Sequence, residues 1–438
     1  MEYKINKYLY IVPKINTIVL YNLVTNNIFA ITEDRYALLN SKREKLSELK
    51  EERPAFFSAM EKLGVIVPQS FDELDYVKMM NKKVVFSNSE YRLTINPTLE
   101  CNFNCWYCYE GHQEGRMLQD VMEAVVNHIK LKIEDKSLRF LQLDWFGGEP
   151  LLYFDEVVYP LSKQIKQLVD EKQIPFSNSA TTNGYLINKE RIDKFREIGL
   201  NHFQITLDGN EATHNKIRFE KNKEGSFKKI IENINLLAEN AYFSVLLRIN
   251  YTQKTLKDIN EIIDLFSEKA KEKITVLFQQ VWQDAIKEYV SVEENKAEFE
   301  KRGFKIKKYE TNSNFYVCYA DKEQQAVINY DGKVHKCTAR DFTEKNELGV
   351  LQQNGEIQWN IPKLSKRLAK ATFENKYCLE CNLLPVCMGP CSQKVFEFPE
   401  QFDYHFFRKF CLQDGIRMIL DENVENHYNK LLKLENNV

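Results

Sequence analysis

The chain has 438 residues, of which 43% are hydrophobic and 28% charged, and its net charge is −2. This length predicts about two or three globular domains. The nearly neutral balance argues against a nucleic-acid partner or an anionic membrane surface, and no run approaches the ~18 apolar residues of a membrane span. Since the N-terminal residues lack the apolar core of a signal peptide, the ten cysteines are expected to bind metal in a reducing cytoplasm.

Residues 1–85 combine strand-like runs with short helical patterns. Strands are predicted at 8–12, 17–21, 27–31 and 65–67, and a helix at 54–63. This order resembles the winged-helix-like α+β recognition element of enzymes that modify ribosomally made peptides. The resemblance implies that the segment binds the leader of a precursor peptide; an inert N-terminal cap is the alternative. The polar stretch 69–90 that follows is predicted to be a linker.

From 91 to 283, strands alternate with amphipathic helices, which is the pattern of an α/β fold with a parallel sheet. The expected strands are 91–96, 139–146, 175–181, 202–207, 242–249 and 274–280. Helical spacing of apolar residues is clear in Val121, Val125, Ile129 and Ile133, and again in Leu256, Ile259, Ile263 and Phe266. Six strands are too few for a complete eight-stranded barrel.

Three cysteines follow the first of these strands within eight residues, in the run Cys101-Asn-Phe-Asn-Cys105-Trp-Tyr-Cys108. Three thiolates this close can bind three irons of a 4Fe–4S cluster and leave the fourth iron without a protein ligand. A zinc site or a disulfide knot is the alternative. Zinc motifs usually pair two C-x2-C knuckles or combine them with His, and no second knuckle is close in the sequence.

The C-x3-C-x2-C spacing, with Tyr107 before the last cysteine, resembles the signature of the radical S-adenosylmethionine (radical SAM) enzymes. The resemblance implies that S-adenosylmethionine chelates the open iron. An electron from a flavodoxin- or ferredoxin-type reductant then splits this cofactor, and a 5′-deoxyadenosyl radical abstracts hydrogen from the substrate. It also implies a partial (β/α)6 TIM-like barrel, which matches the six predicted strands, with its site at their carboxyl ends.

Gly147-Gly148-Glu149-Pro150, after the second strand, resembles the GGEP motif of this family. Glycines let a ligand approach the backbone, and Glu149 can accept hydrogen bonds from the amine of S-adenosylmethionine. A plain turn is the alternative for the two glycines.

Polar residues also follow the next strands, at Asn183 after the third and at Thr206 and Asp208 after the fourth. Asn-Gly and Asp-Gly are ordinary turn dipeptides, but their repetition suits a barrel mouth. The stretch from His214 to Arg218 resembles the family's HDxxR, with Asn in place of the acid, and Arg218 can pair with the methionine carboxylate. Arg248 is a further candidate for this pocket, with a surface salt bridge as the alternative.

The remaining cysteines, from Cys318 to Cys411, follow the layout C-x13-G-x4-C … C-x2-C-x5-C-x3-C-x19-C. This layout resembles the SPASM extension, which holds auxiliary 4Fe–4S clusters, so the resemblance implies three clusters in all. Related enzymes bind the second auxiliary cluster through cysteines that correspond to Cys378, Cys381, Cys387 and Cys411. Cys318, Cys337 and Cys391 then remain for the first auxiliary cluster. Its fourth iron is predicted to be open to a substrate cysteine; water, a carboxylate or His335 is the alternative ligand.

These patterns predict four regions. They are a recognition element at 1–85, a radical SAM partial barrel at 91–283, a charged helical bridge at 284–310, and a SPASM domain with a closing helix at 311–438. The leading hypothesis is a maturase that cross-links a ribosomal precursor peptide through a thioether, carbon–carbon or carbon–oxygen bond. An anaerobic sulfatase maturase and a non-catalytic electron-transfer protein are the alternatives. The peptide, the residues joined, the general base and the oligomeric state stay open.

Overall fold

A computed structural model describes residues 2–220, 225–281, 283, 291–307, 315, 317–369, 371–397 and 411–435. The chain forms two compact units: the first contains 1–87, 309–323 and 365–438, and the second contains 88–308 and 324–364. These units divide the chain differently from the four predicted regions, whose boundaries stay a prediction. Among the described residues, no helix is both long and apolar enough to cross a membrane.

The N-terminal part of the first unit is an α+β arrangement. Its strands are β1 (Tyr3–Ile5), β2 (Leu9–Lys14), β3 (Thr17–Asn22), β4 (Asn27–Thr32) and β5 (Ile66–Pro68), and its helices are α1 (Glu33–Ser41), α2 (Leu46–Glu52), α3 (Pro54–Lys62) and α4 (Glu73–Val85). Strands β2, β3 and β4 form an antiparallel sheet in that order, and β1 pairs with β5. The predicted strands and the helix at 54–63 are confirmed.

The predicted linker at 69–90 is wrong, because most of it is helix α4. Asp72 caps this helix by accepting a hydrogen bond from the Asp75 N–H group. Val77, Asn81 and Val85 recur at four-residue spacing and are buried. The stretch reads as polar because its buried face also includes Asn81 and Glu73, whose carboxylate pairs with Lys4 at 2.7 Å.

The second unit alternates strands and helices as predicted. Its strands are β6 (Glu90–Ile95), β7 (Phe140–Trp145), β8 (Phe176–Thr182), β9 (Leu200–Leu207), β10 (Ser244–Tyr251), β11 (Ile274–Gln280), β12 (Lys305–Ile306), β13 (Gln325–Ile328), β14 (Lys333–His335), β15 (Gly349–Leu351) and β16 (Ile357–Trp359). Its helices are α5 (Gln119–Ile133), α6 (Tyr159–Glu171), α7 (Lys189–Glu197), α8 (Glu211–Ile217), α9 (Phe227–Ala238), α10 (Glu268–Lys271) and α11 (Glu293–Lys301). Single-turn or irregular helical segments lie at Pro150–Tyr153, Phe154–Val158, Ile259–Leu265 and Glu344–Asn346.

One sheet joins these strands in the order β12-β11-β10-β9-β8-β7-β6-β13-β14-β15-β16. Strands β6 to β11 are the six predicted parallel strands, and the sheet stays open at both ends, so the α/β partial-barrel prediction is confirmed. The sequence analysis missed two more parallel strands, β12 beside β11 and β13 beside β6. Antiparallel strands β14, β15 and β16 then extend the edge formed by β13.

Two predicted helices differ in detail. The apolar face at Ile259 and Ile263 is buried as expected, but Ile259–Leu265 forms a 3-10 helix. The bridge at 284–310 contains α11 and β12, while its residues 284–290 and 308–310 lie outside the described part of the chain.

The C-terminal part of the chain is mainly helical. The remaining elements are α12 (Ile361–Ala369), α13 (Lys376–Glu380), α14 (Leu384–Cys387), α15 (Ser392–Glu397) and α16 (Gln413–Glu435), with 3-10 turns at Tyr319–Asp321 and Ala371–Glu374. Helix α16 matches the predicted closing helix.

Side chains alternate along the parallel strands, and this alternation positions the site. In β9, Phe203 and Ile205 are buried in the main hydrophobic core, whereas Gln204 and Thr206 face a cavity. Successive side chains of a strand point to opposite faces. A complete TIM barrel fills its interior with branched apolar residues. The polar inner face of this sheet is therefore available to a ligand.

Candidate active site

A cavity of about 180 Å³ lies where the parallel strands end, and the loop that carries the three-cysteine motif forms one side of it. The carboxyl ends of parallel strands meet at one edge of a sheet, so residues distant in the sequence converge here. The predicted site residues that line the cavity are Cys101, Cys105, Tyr107, Cys108, Gly147, Gly148, Asn183, Thr206, Arg218 and Arg248. Glu149 and Asp208 are buried and form hydrogen bonds with residues that line the cavity, Glu149 with Asn183 and Asp208 with Tyr107.

The two glycines after β7 let the cysteine loop pack closely against the strand end. A Cβ atom at Gly148 would lie 2.2 Å from the Glu100 carbonyl oxygen, and one at Gly147 would lie 2.4 Å from that of Thr98. Gly147 also has a φ of +102°, which favours glycine. The close approach seen here is therefore to the backbone that leads into Cys101, and the predicted approach to a ligand stays a prediction.

Glu149 joins the ends of β7 and β8. Its Oε1 accepts hydrogen bonds from the Thr182 hydroxyl at 2.7 Å and the Leu151 N–H group at 3.0 Å. Its Oε2 accepts one from the Asn183 N–H group at 2.7 Å. Burial raises the pKa of this carboxyl, and these three donors oppose the rise. The predicted contact with an amine stays a prediction; a carboxylate has about four acceptor sites, so capacity for a further donor remains.

The Tyr107 hydroxyl connects the cysteine loop to the ends of β9 and β10. It donates to the Asp208 carboxylate, at 2.7 Å from Oδ2 and 2.9 Å from Oδ1. It accepts from Arg218 at 2.9 Å and from the Asn250 amide at 3.2 Å. Arg248 is linked to the Tyr107 hydroxyl through Asn250, because its Nε donates to Asn250 Oδ1 at 2.9 Å. The hydroxyl thus uses its full hydrogen-bonding capacity to hold the loop between two charged side chains.

His214 holds the backbone of Asp208 in place. Its Nδ1 accepts from the Asp208 N–H group at 3.3 Å, and its Nε2 lies 3.1 Å from the Ser226 hydroxyl. That hydroxyl donates to the Arg218 carbonyl at 2.7 Å. Burial keeps the pKa of His214 well below its usual range, so the ring is neutral. The first and last residues of the HDxxR-like stretch therefore support one another through Asp208 and Ser226.

The thiols suit an iron–sulfur cluster. Burial, and next the Glu149 carboxylate, raises the pKa of Cys101 to about 12, and burial also raises the pKa of Cys105. Metal binding would displace these protons. Among the described residues, no three Cys, His, Asp or Glu side chains converge closely enough to hold a single metal ion. In a four-iron cluster each thiolate binds a different iron, so the ligands need not converge.

Buried polar atoms in and beside the cavity lack hydrogen-bond partners. Within the described part of the chain, Arg218 Nε, Asn102 Nδ2 and Glu110 Oε2 are buried without a hydrogen-bond partner. Arg218 Nε lies 3.6 Å from Asp208, too far for a good hydrogen bond. Since an unsatisfied buried polar group costs about 1–3 kcal/mol, these atoms indicate missing donors and acceptors. The amine and carboxylate of S-adenosylmethionine supply both kinds of group.

The four cysteines predicted for the second auxiliary cluster surround one small cavity in the first unit. Cys378, Cys381, Cys387 and Cys411 line it, together with apolar residues such as Leu383 and Leu384. Cys391, which was predicted to bind the other auxiliary cluster, is absent from this lining. The arrangement fits a cluster with four thiolate ligands in an apolar setting.

The cysteines predicted for the first auxiliary cluster belong to both units: Cys318 and Cys391 to the first and Cys337 to the second. Their shared cluster stays a prediction. His335, the alternative fourth ligand, is buried; its Nδ1 lies 3.0 Å from the Asn346 carbonyl, and its Nε2 has no hydrogen-bond partner among the described residues.

Several cavity residues were missed by the sequence analysis. Gln204, Gln280 and Gln283 line the cavity, and Gln283 donates to the Tyr107 carbonyl at 2.6 Å. The signal for Gln204 was present in β9, where polar residues alternate with Phe203, Ile205 and Leu207. Gln283 gives no such signal, because it follows β11 and lies outside the strands.

The chain is similar to known proteins in sequence and in fold. The model of the radical SAM superfamily matches residues 95–266. The cysteine-type anaerobic sulfatase-maturating enzyme of Clostridium novyi is 30% identical over 39% of this chain and 46% of its own length. The solved structure of native anSMEcpe with bound AdoMet covers 78% of this chain and 99% of its own at 19% identity, with a TM-score of 0.56.

A second solved structure, Streptococcus suis SuiB bound to precursor peptide SuiA, covers 91% of this chain and 97% of its own at 15% identity, with a TM-score of 0.50. At these identities the solved structures establish the fold alone. The chain spans about half the length of the curated relatives it matches first.

Proposed function

Since residues 95–266 belong to the radical SAM superfamily, we propose that this protein is a peptide maturase that cross-links a ribosomally made precursor peptide. The observation that carries the proposal is the shared cavity. It brings three thiols of one short motif together with Arg218, Asn183 and Thr206 at the strand ends. When bound there, the cluster and S-adenosylmethionine supply a radical that abstracts hydrogen from the substrate.

The residues of the chain hold and orient these groups. Cys101, Cys105 and Cys108 would hold the cluster, and Tyr107 keeps their loop against the strand ends through Asp208. Arg218 offers its unpaired Nε to the methionine carboxylate. One substrate electron would leave with the abstracted hydrogen atom, and predicted auxiliary clusters in the SPASM region would provide a place for the second, which the substrate radical loses as the bond closes. A flavodoxin- or ferredoxin-type protein would supply the separate electron that splits S-adenosylmethionine.

A groove in the N-terminal part of the first unit supports a peptide substrate. It has a volume of about 300 Å³ between β2 and α1, and its apolar lining includes Ile11 and Tyr36. Arg43, two residues after the end of α1, adds a positive charge. A leader peptide with apolar and acidic residues would complement this groove. The SuiB structure, which was solved with a precursor peptide, covers 91% of this chain.

The sulfatase maturase is the second candidate, because a curated relative of that activity is 30% identical over its matched region. The anSMEcpe structure covers 78% of this chain, so about a fifth of the chain has no counterpart in it. The recognition element predicted at residues 1–85 would account for a difference of this size. The cross-linking hypothesis is therefore preferred.

The test is anaerobic co-expression with a short peptide encoded beside the gene, followed by mass spectrometry. Cross-linking predicts a loss of two hydrogens for each bond formed, and fragmentation identifies the residues joined. Replacement of Ile11 by Asp, or of Arg43 by Glu, should weaken peptide binding and product formation while 5′-deoxyadenosine release continues. Ile15→Asp is the matched control, since Ile15 is 83% exposed in the neighbouring turn.

The outcomes separate the three hypotheses. An unmodified peptide, with 5′-deoxyadenosine still released and a sulfatase-derived peptide oxidised, would favour the sulfatase maturase. No release of 5′-deoxyadenosine from a protein with its full complement of about twelve irons would favour an electron-transfer protein. Point substitutions are preferred to deletion of residues 1–85, because Tyr8 and Val19 share a hydrophobic core with Leu420 and Val424.

A further inference from the structure

A buried ion pair in the first unit joins three segments that are distant in the sequence. Arg367 of α12 lies 3.3 Å from Asp321, and their side chains are only 4% and 3% exposed. The Ser392 hydroxyl donates to the second oxygen of Asp321. Arg367 also donates to Gln393 and lies over the Phe396 ring at 4.9 Å. We call Asp321, Arg367 and Ser392 the Asp321 network.

Each end of this network is attached to a cysteine by a short, hydrogen-bonded element. Asp321 is the third residue after Cys318, and its N–H group donates to the Cys318 carbonyl at 2.9 Å, which closes the Tyr319–Asp321 turn. Ser392 directly follows Cys391, whose carbonyl accepts from the Val395 N–H group at 3.2 Å in the first turn of α15. The bond between Asp321 and Ser392 therefore fixes the Cys318 turn to the start of α15.

The burial of these groups makes the connection strong. A buried carboxylate is tolerated when it is paired and hydrogen-bonded, and both oxygens of Asp321 have such partners. Separation of the Cys318 turn from α15 would leave Oδ2 of this buried carboxylate without its Ser392 donor. The fold thus holds these two cysteine-bearing segments together through protein contacts alone.

We propose that the Asp321 network is a positioning device for the first auxiliary cluster: it places Cys318 and Cys391 before iron binds. This inference rests on the proposed function and on the predicted assignment of both thiols to that cluster. Thiols that the fold already holds in position bind a cluster more tightly, because less conformational entropy is lost when the cluster binds. None of the three residues of the network lines the cavity formed by the cysteines predicted for the second auxiliary cluster. We therefore expect that cluster and the S-adenosylmethionine cluster to be retained without the network.

The test is selective loss of one cluster. Two variants are informative: Asp321→Asn removes the charge, and Ser392→Ala removes only the hydroxyl that joins the two segments. After anaerobic reconstitution with ferrous iron and sulfide, the unaltered protein should hold about twelve irons per chain and Asp321→Asn about eight. Ser392→Ala should fold normally and lose one cluster to a chelator at least about tenfold faster.

Leu49→Ala is the matched control, since Leu49 is fully buried in a separate core of the same unit. It should destabilise the unit yet retain about twelve irons. Electron paramagnetic resonance should show that the S-adenosylmethionine cluster is unchanged in all three variants.

Three results would overturn the inference. Full iron content and unchanged chelator resistance in both network variants would remove the positioning role while leaving the proposed function intact. Equal loss of the same cluster in Leu49→Ala would show that general destabilisation of the unit, and not loss of the network, releases the cluster. Fewer than about twelve irons in the unaltered protein would contradict the cluster content of the proposed function, and the inference with it.

Discussion

Replacement of Tyr107 by Phe tests whether its hydroxyl holds the cysteine loop in place. The hydroxyl contacts two charged groups, Asp208 and Arg218, at 2.7 and 2.9 Å. Hydrogen bonds to charged groups contribute about 1.5–3 kcal/mol each, so loss of both weakens the placement of the loop by about 3 kcal/mol at the lower end of this range. A difference of 1.36 kcal/mol is about tenfold. We therefore expect the release of 5′-deoxyadenosine to fall about a hundredfold.

Tyr109→Phe is the matched control. Tyr109 lies on the same loop and lines the same cavity, but its hydroxyl donates to a neutral acceptor, the Thr338 carbonyl, at 2.6 Å. A neutral hydrogen bond contributes about 1 kcal/mol, which corresponds to about a fivefold loss.

The assay uses both variants after reconstitution, with 5′-deoxyadenosine release and retention of the cluster against a chelator as readouts. Thermal unfolding shows whether each chain is folded. The reasoning is refuted if Tyr107→Phe behaves within a factor of about two of the unaltered protein, or if Tyr109→Phe loses as much.

Three further predictions concern the same unit. Replacement of all three cysteines of the motif by Ala should abolish 5′-deoxyadenosine release and lower the iron content by about four; retained release would contradict the assignment. Glu149→Gln turns an acceptor into a donor opposite an N–H group, and calorimetry should show about 1–3 kcal/mol of lost stability, against no change for the exposed Glu156→Gln. Burial lowers the pKa of His128 from 6.5 to about 4, so urea unfolding should show roughly 3 kcal/mol of stability lost as the pH falls through that range, and His128→Gln should remove this dependence.

The sign of the His128 effect follows from its burial, which disfavours the charged ring. Its Nδ1–H group donates to the Gly355 carbonyl, and its Nε2 accepts from the Tyr91 hydroxyl, both at 2.6 Å. The Gly355 bond opposes the effect of burial, which is larger, so the folded chain keeps the ring neutral to a lower pH. The unfolded chain binds a proton at a higher pH than the folded one, so acid favours unfolding. A stability that does not change between pH 7 and about 4 would contradict this account.

Much of the fold was predictable because its signals are local. The β9 alternation of Phe203, Ile205 and Leu207 with polar residues follows from the two-residue period of a strand. The cysteine motif was equally clear, since three thiols within eight residues are necessarily close in space. Helix α4 was missed because its buried face includes Glu73 and Asn81. These side chains are buried in tertiary contacts that composition does not reveal.

The amino-acid sequence alone therefore determined the cluster motif, the six parallel strands and the end of the sheet at which the site lies. The partners within the site depend on the folded chain. Tyr107 and Asp208 are 101 residues apart in the sequence, and Asp321 and Ser392 are 71 apart. Local periodicity reports which face of an element is buried, but it does not report which distant side chain lies opposite. The pairing of distant side chains is set in the folded chain, where the strand ends lie together and each buried charge needs a hydrogen-bonding or oppositely charged partner.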